Sequence, residues 1–240
     1  MYHLEESYWW YRGLHEITRD AIARHAPGFE SLLDAGCGTG GLLRLLREWR
    51  PHARFVGSDF SPHALDFSGR RGFPELVRGR VDALAFRSAA FDVVACNDVL
   101  YFEGVDVDRA LDEIARVLGP RGVLAINLPA FELLRGSHDR FVHGVRRFTR
   151  REMRDRLANA GFEILQASYW NATLFPLIAV LRLLRRRESV AESDLRPLAP
   201  FANQTLLGVV RLEARWLRRS NLPFGTSIHC VARKRAAGVA

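Results

Sequence analysis

Lysine is almost absent from this chain of 240 residues. Lys234 is the only lysine among 35 basic residues, and the formal net charge is +8 with a pI of about 10.2. Arginine enrichment also arises where coding DNA is rich in GC, so the charge alone does not indicate nucleic-acid binding. A solvated arginine-rich surface, an anionic substrate and a membrane surface are the open explanations.

Cysteine is also scarce, and long apolar runs are missing. Cys37, Cys96 and Cys230 are scattered without zinc-ligand spacing, so we expect reduced structural thiols and no metal site. The opening residues do not resemble a signal peptide, and we expect a cytoplasmic protein. The apolar stretch 172–181 is about half the roughly 20 residues that span a bilayer, which excludes a transmembrane helix there.

Glycine, in contrast, is concentrated in the segment Leu32-Leu33-Asp34-Ala35-Gly36-Cys37-Gly38-Thr39-Gly40-Gly41. Apolar residues ending in an acid predict a buried strand, and the leucines after Gly41 predict the start of a helix. Glycines between a strand and a helix let the backbone approach a ligand, and the helix N-terminus offers N–H groups to an anion. The segment therefore predicts a site for a nucleotide-like cofactor.

Two classes of cofactor fit such a turn. The spacing of Gly36, Gly38 and Gly41 matches the dinucleotide pattern G-x-G-x-x-G, which is weak on its own. A carboxylate at Asp34 would repel a pyrophosphate but suits the ammonium group of a methionine moiety. The chain after the sheet is also short for the substrate domain of a dehydrogenase. S-adenosylmethionine (SAM) is therefore favoured over a nicotinamide cofactor.

The glycine segment resembles the first motif of the class I SAM-dependent methyltransferases, and ordered matches cover most of residues 1–170. The resemblance implies a Rossmann-like α/β fold, with a doubly wound, mainly parallel sheet of seven strands. It also implies an N-terminal helical lid, to which this chain adds a helical insertion before the last strand. SAM would be the methyl donor and S-adenosylhomocysteine the product.

Alternating patterns along the chain predict the same architecture. We expect strands over 31–35, 54–58, 75–78, 91–96, 123–128, 162–170 and 227–233, and helices over 14–26, 41–49, 62–69, 107–118, 149–160, 174–187 and 204–219. A single domain over 1–240 would comprise lid helices (1–28), a cofactor-binding core (29–170), the insertion (171–222) and the last strand with its tail (223–240).

The ends of the strands supply the expected cofactor site. Asp59 ends the second strand, where a carboxylate accepts the ribose hydroxyls, although a helix cap is the alternative. By resemblance, Asp82 takes the adenine amino group and the N–H of Ala83 meets a ring nitrogen, with a solvated loop acid as the alternative. The cofactor-binding residues expected are Tyr11, Arg12, Asp34, Gly36, Cys37, Gly38, Gly40, Asp59, Phe60, Asp82, Ala83 and Asn97.

Two segments are expected around the methyl acceptor. The aromatic run Trp9-Trp10-Tyr11-Arg12 resembles the lid helix of the family, with packing against the domain as the alternative. Residues 136–149 resemble the pattern H-D-x-x-x-H-x-x-R-R-Y/F-T of a bacterial methyltransferase subgroup, from which Gly144 and Val145 depart. A histidine there would be a general base and the arginines an anion clamp, unless Asp139 pairs with them. The candidate catalytic residues are His138, His143 and Tyr101, and the candidate acceptor-binding residues are Trp10, Asp98, Arg146 and Arg147.

These patterns predict in-line methyl transfer to a small amphiphilic or anionic metabolite, such as a secondary metabolite or an isoprenoid or glycolipid precursor. We expect a small-molecule acceptor and no nucleic acid. An RNA methyltransferase and a SAM-binding protein that catalyses a rearrangement without methyl transfer are the alternatives. The insertion 171–222 is expected to cover the active site, form a homodimer interface or contact a membrane surface.

Overall fold

The computed structural model describes residues 2, 4–136, 139, 143–184 and 198–236. The strands are β1 (Ser31–Ala35), β2 (Arg54–Asp59), β3 (Leu76–Arg78), β4 (Phe91–Asn97), β5 (Leu118–Pro129), β6 (Phe162–Trp170) and β7 (Ser227–Lys234). The helices are α1 (Leu4–Ser7), α2 (Trp9–His25), α3 (Gly41–Trp49), α4 (Pro62–Arg70), α5 (Val107–Val117), α6 (Arg150–Asn159), α7 (Phe175–Leu184) and α8 (Pro200–Leu217), with a 3-10 turn at Glu132–Leu134. Among these residues, no helix is long and apolar enough to cross a membrane.

The strands form one sheet in the order β3-β2-β1-β4-β5-β7-β6. Strands β1 to β5 pair in parallel, whereas β7 runs antiparallel to both β5 and β6. The seven-stranded doubly wound fold is therefore confirmed. Its alternating connections place helices on both faces, so the central strands are buried on both sides. In β4, Val94 and Cys96 pack on the α5–α6 side, while Val93 and Ala95 pack on the α3 side.

Helix α2 begins at Trp9, earlier than the predicted start at residue 14. Trp9 is buried with Leu207 and Val210 of α8, and Trp10 stacks on Trp170 of β6 at 5.8 Å between ring centroids. Packing of these aromatics against the domain, the alternative left open above, is what the structure shows. The predicted extension of α7 to residue 187 lies outside the described residues.

Three of the six described non-glycine residues with positive φ lie at one edge of the sheet. Asp98, Phe131 and Asn171 follow β4, β5 and β6, and their φ angles are +56°, +56° and +59°. Positive φ is costly for residues other than glycine and clusters at functional sites. Because these strands run in the same direction, the three residues mark the carboxyl edge, where open α/β sheets bind ligands.

Candidate active site

The glycine turn is a close-packed cradle between β1 and α3. Gly36 has φ +93°, and a Cβ there would lie 2.1 Å from Cγ2 of Val99. Gly40 has φ +84°, and a Cβ would meet Oγ of Ser68 at 2.6 Å. The N–H groups of Gly36 and Cys37 both donate to the carbonyl of Ser58, at 2.7 and 3.0 Å, which ties the turn to β2. Side chains at these glycines would displace the turn.

Asp34 lies directly beneath this turn and is buried to 2% exposure. Burial, followed by repulsion from Glu5 and Asp59, raises the pKa of Asp34 to about 8. Asp59 at the end of β2 accepts hydrogen bonds from the N–H of Gly38 at 2.9 Å and of Ser61 at 2.8 Å. The turn is therefore surrounded by carboxylates, although the whole protein is basic.

Glu5 of α1 is a site residue that the sequence analysis missed. Its Oε2 accepts hydrogen bonds from Oγ1 of Thr39 at 2.6 Å and from N–H of Gly41 at 3.1 Å. Burial raises the pKa of Glu5, although Thr39 and Arg71 act against this. The side chain thus occupies the anion-binding N-terminus of α3. Its only sequence signal was an acid within the aromatic-rich N-terminal stretch.

Arg71 fastens this N-terminal segment to the glycine turn. Its Nε donates to the carbonyl of Thr39 at 2.6 Å, and Nη2 donates to the carbonyl of Tyr2 at 2.9 Å. It also pairs with Glu6, and its guanidinium lies 4.3 Å from the ring centre of Tyr2. Tyr2 and residues 4–7 therefore lie against the turn through contacts that no local pattern predicts.

Asp98 belongs to a buried hydrogen-bond chain at the end of β4. Asn127 donates through Nδ2 to Oδ1 of Asp98 at 3.0 Å, and its own Oδ1 accepts from Nε1 of Trp170 at 2.7 Å. Burial raises the pKa of Asp98 to about 7, while Asn127 and Arg147 act in the opposite direction. The carboxyl group is thus oriented by Asn127 and gains or loses its proton near neutral pH.

Two tyrosines share the electrostatic environment of Asp98. Burial raises the pKa of both Tyr11 and Tyr101, and the charge of Asp98 raises each further. The structure therefore brings three predicted site residues into one cluster. Beside them, Asn97 donates to Oγ1 of Thr18 at 3.2 Å, and its buried Oδ1 meets no hydrogen-bond donor among the described residues.

The adenine-side residues are placed differently. Phe60 follows Asp59 with 68% of its surface exposed. Both oxygens of Asp82 accept from Arg80, at 2.8 and 2.7 Å, and the N–H of Ala83 donates to the carbonyl of Arg80 at 3.2 Å. Asp82 and Ala83 therefore already bond within their own loop, and their role in cofactor binding stays a prediction.

The loop after β5 contains a buried ion pair. Arg147 donates through Nε and Nη2 to the two oxygens of Asp139, at 2.8 and 3.0 Å, and both side chains are about 95% buried. Its Nη1 donates to the carbonyl of Ala130. The guanidinium of Arg147, expected to bind the acceptor, is thus paired with Asp139 inside the protein. This pairing is the alternative given in the sequence analysis, except that the pair is buried and not solvated.

The remaining candidates of this loop are spread apart. His143 is exposed with φ +56°, and its carbonyl accepts from the N–H of Glu103. Arg146 is half-buried and donates to the carbonyl of Val105 at 3.4 Å. His138 lies outside the described residues. The loop therefore offers no assembled histidine–arginine site among the described residues.

Arg12, a candidate outside this loop, is half-buried on α2, and no described carboxylate forms an ion pair with it.

An aromatic wall lies at the ends of β5 and β6. Phe131 stacks on Tyr169 with ring centroids 4.8 Å apart, and Phe175 of α7 contacts Phe131 at 5.9 Å. Asn171, next to this wall, donates to Oγ1 of Thr226 at 2.8 Å, and its buried Oδ1 has no described donor. The insertion thus contributes apolar surface at the carboxyl edge.

Comparison with known proteins gives this site a context. The family described as a methyltransferase domain matches residues 33–126. Trans-aconitate 2-methyltransferase of Azoarcus sp. (strain BH72) is 34% identical over 156 residues, covering 64% of this chain and 58% of that protein. Demethylmenaquinone methyltransferase of Thermus thermophilus is 38% identical over 112 residues, covering 45% of this chain and 50% of that protein. The chain spans about half the length of the curated relatives it matches.

The fold is shared more widely than the sequence. A SAM-dependent methyltransferase structure from Mesorhizobium loti superimposes with a TM-score of 0.60 at 17% identity, over 91% of this chain and 96% of that one. The sequence match begins in the strand that carries Asp34 and includes the glycine turn and Asp59. The resemblance to the class I SAM-dependent methyltransferases is thus confirmed, and SAM is confirmed as the cofactor that the glycine motif predicts.

Proposed function

We propose that this protein transfers a methyl group from SAM to a small amphiphilic or anionic metabolite, in the cytoplasm. The observation that carries the proposal is the set of carboxylates, Glu5, Asp34, Asp59 and Asp98, at one edge of the sheet. In a protein with a net charge of +8, a local cluster of acids favours a cationic ligand and disfavours a pyrophosphate.

The residues of the turn fit this cofactor. Asp34 and the unpartnered Oδ1 of Asn97 would accept from its ammonium group. Each oxygen of Asp59 accepts one backbone N–H, which fixes the carboxylate and leaves further lone pairs for the ribose hydroxyls. The exposed ring of Phe60 offers a face for adenine. When bound, SAM supplies a methyl group on a positively charged sulfur that needs no further activation.

Asp98 is better placed than His143 to accept the proton of the acceptor. Asn127 holds one of its oxygens, and Tyr11 and Tyr101 share its environment. A base with a pKa near 7 combines the ionised form with a useful driving force at neutral pH. Because their pKa values are raised, both tyrosines keep their protons and can donate hydrogen bonds to the acceptor.

The acceptor proposed here follows from its surroundings. The aromatic wall of Phe131, Tyr169 and Phe175 suits an apolar portion, and Asn171 offers a buried acceptor oxygen beside it. Arg12 and Arg146, half-buried and free of described ion pairs, suit an anionic end. The two curated relatives act by name on different acceptors, so they support small-molecule methylation without selecting one substrate.

A transfer assay with labelled SAM tests this function. Fractionated small-molecule extract should accept label with or without nuclease treatment, and Asp98→Asn should lower turnover about 100-fold or more, as expected for loss of a general base. In the wild-type protein, turnover should rise with pH through about 7. The exposed Asp112→Asn variant on α5 is the matched control.

The other outcomes separate the alternatives. Label that enters only nuclease-sensitive material would favour an RNA methyltransferase. SAM binding without label transfer to any fraction would favour a rearrangement enzyme. Wild-type turnover in Asp98→Asn would remove Asp98 from the proton transfer while leaving methyl transfer intact.

A further inference from the structure

The insertion carries most of the exposed large apolar side chains of the described protein. Seven of the ten lie on α7, on α8 or just before α8, namely Leu177, Val180, Leu181, Leu198, Phe201, Leu212 and Trp216. Phe201 is 83% exposed, Leu212 63% and Trp216 61%. Exposed large apolar side chains that lie together, rather than singly, indicate an interaction surface.

Helix α8 divides cleanly into an inner and an outer side. Leu207, Val210 and Leu217 are buried against α2 and β6. Phe201, Leu212 and Trp216 recur at helical spacing on the opposite side, and we call this the outer face of α8. The outer face is therefore an apolar stripe along a helix that is already anchored through its other side.

The charges of α8 are also divided between the two sides. Glu213, its only acid, is 7% exposed and accepts from the N–H groups of Ala172 and Thr173. Arg211 pairs with Glu16 of α2 at 2.6 Å. Arg218 pairs in the same way with Asp20. The acid and two of the arginines thus hold the helix in place and leave no negative charge on its outer face.

Arg215 of α8 and Arg219, two residues past its end, are both exposed. No described carboxylate forms an ion pair with either guanidinium. Arginines beside exposed Phe, Leu and Trp are the composition of helices that lie in the plane of a membrane interface, where the apolar side chains enter the acyl boundary. Trp is enriched at that boundary because its ring is amphipathic.

We propose that the outer face of α8 binds an anionic lipid surface. A second copy of the chain fits it less well, because a two-fold contact would bring Arg215 and Arg219 of one copy against the same arginine-bearing face of the other. Negatively charged headgroups would instead neutralise both arginines while Phe201, Leu212 and Trp216 enter the interface. This surface lies on α8 and goes beyond the proposed methyl transfer.

Vesicle flotation tests the proposal with the full chain. Wild-type protein should float with vesicles of phosphatidylcholine mixed with phosphatidylglycerol, and not with phosphatidylcholine alone. The R215A/R219A variant should partition roughly 25-fold more weakly, because each arginine near an anionic surface contributes about five-fold. F201S/L212S should also weaken binding although its charge is unchanged.

Arg151→Glu is the charge control, since Arg151 is exposed on α6, on the other side of the sheet. It should float as the wild type does, and all variants should retain the wild-type melting temperature and binding of S-adenosylhomocysteine. Failure of the wild-type protein to float with anionic vesicles, or equal flotation of R215A/R219A, would overturn the proposal. A dimer in sedimentation that F201S/L212S converts to monomer would assign the face to a second copy instead.

Discussion

Asp34→Asn is the most informative single substitution in this protein. The buried carboxyl has its pKa raised from an ordinary 3.8 to about 8, so in the folded state it keeps its proton near neutral pH. At about 1.4 kcal/mol per pKa unit, the ionised carboxylate would cost the folded protein up to roughly 6 kcal/mol in the absence of a cation. Asparagine keeps the shape of the side chain and removes that cost.

The pH dependence of stability gives the sign of this effect. Between about pH 4 and pH 8 the folded state holds a proton at Asp34 that the unfolded state has lost. The contribution of this group to the free energy of unfolding therefore falls as pH rises, by about 1.4 kcal/mol per pH unit. In urea unfolding, the free energy of unfolding of Asp34→Asn should therefore increase relative to that of the wild type by about 1.4 kcal/mol per pH unit from about pH 5 to pH 7.

Binding of the cofactor should reverse the balance at Asp34. An ammonium group placed beside the carboxyl favours its ionised form, so the wild-type protein should release up to one proton on binding S-adenosylhomocysteine at neutral pH. Calorimetry in buffers of different ionisation enthalpy measures this number, and Asp34→Asn should bind far more weakly. The exposed Asp112→Asn is the control for both measurements. Parallel stability profiles for wild type and Asp34→Asn, together with no proton release, would refute the reasoning.

Two further predictions concern groups that the structure brings beside this site. Since the charge of Glu5 contributes to the raised pKa of Asp34, Glu5→Gln should move the midpoint of the proton release to lower pH in the same calorimetry; an unchanged midpoint would remove Glu5 from the electrostatics of the site. Arg147→Ala should destabilise the fold by up to about 3–5 kcal/mol at neutral pH in urea unfolding, because it removes the two-point partner of the buried Asp139 and leaves only the longer ion pair with Arg182 at 3.5 Å. Burial pushes the pKa of Asp139 upward, but Arg147 outweighs it and holds the pKa below its usual value, so this stability is present above about pH 4 and is lost as pH falls through the lowered pKa. A stable Arg147→Ala variant with a raised KM for the acceptor would restore the substrate-clamp interpretation.

Local patterns were sufficient to predict the sheet. Strands β1 and β6 and helix α3 have the predicted bounds. In each, the apolar residues follow the spacing of a strand or a helix, and glycine or polar residues mark the ends. Thr149, the first residue of the predicted helix 149–160, caps α6 by accepting the N–H of Glu152 at 3.2 Å. The strand predicted over 123–128 instead begins at Leu118, the last residue of the predicted helix 107–118, because Leu118 pairs with Phe91 before a register shift. Tertiary pairing there overrides glycine and proline.

The candidate site depends far more on contacts between distant residues. Asp98 and Asn127 are separated by 29 positions, and Asn127 and Trp170 by 43, so neither hydrogen bond has a signature in a sequence window. An asparagine in a strand and a tryptophan at a strand end each have an ordinary explanation in packing. Asp98, Asn127 and Trp170 form one hydrogen-bonded series only because β4 pairs with β5, and β6 reaches the same edge of the sheet through β7.

The predicted N-terminal lid also depends on contacts between distant residues. The sequence pointed to the aromatic residues of 9–12, but Trp9 and Trp10 are held in place by α8 and Trp170, so their release would expose a buried cluster. The part that meets the cofactor turn is α1, whose Glu5 accepts hydrogen bonds from Thr39 and Gly41 at the start of α3. Polar contacts of this kind exchange partners at lower cost than a packed tryptophan, since water or a ligand can replace them. A cofactor-linked movement of the N-terminus is therefore expected in α1 and its anchor at Arg71, while α2 and its aromatic start remain packed.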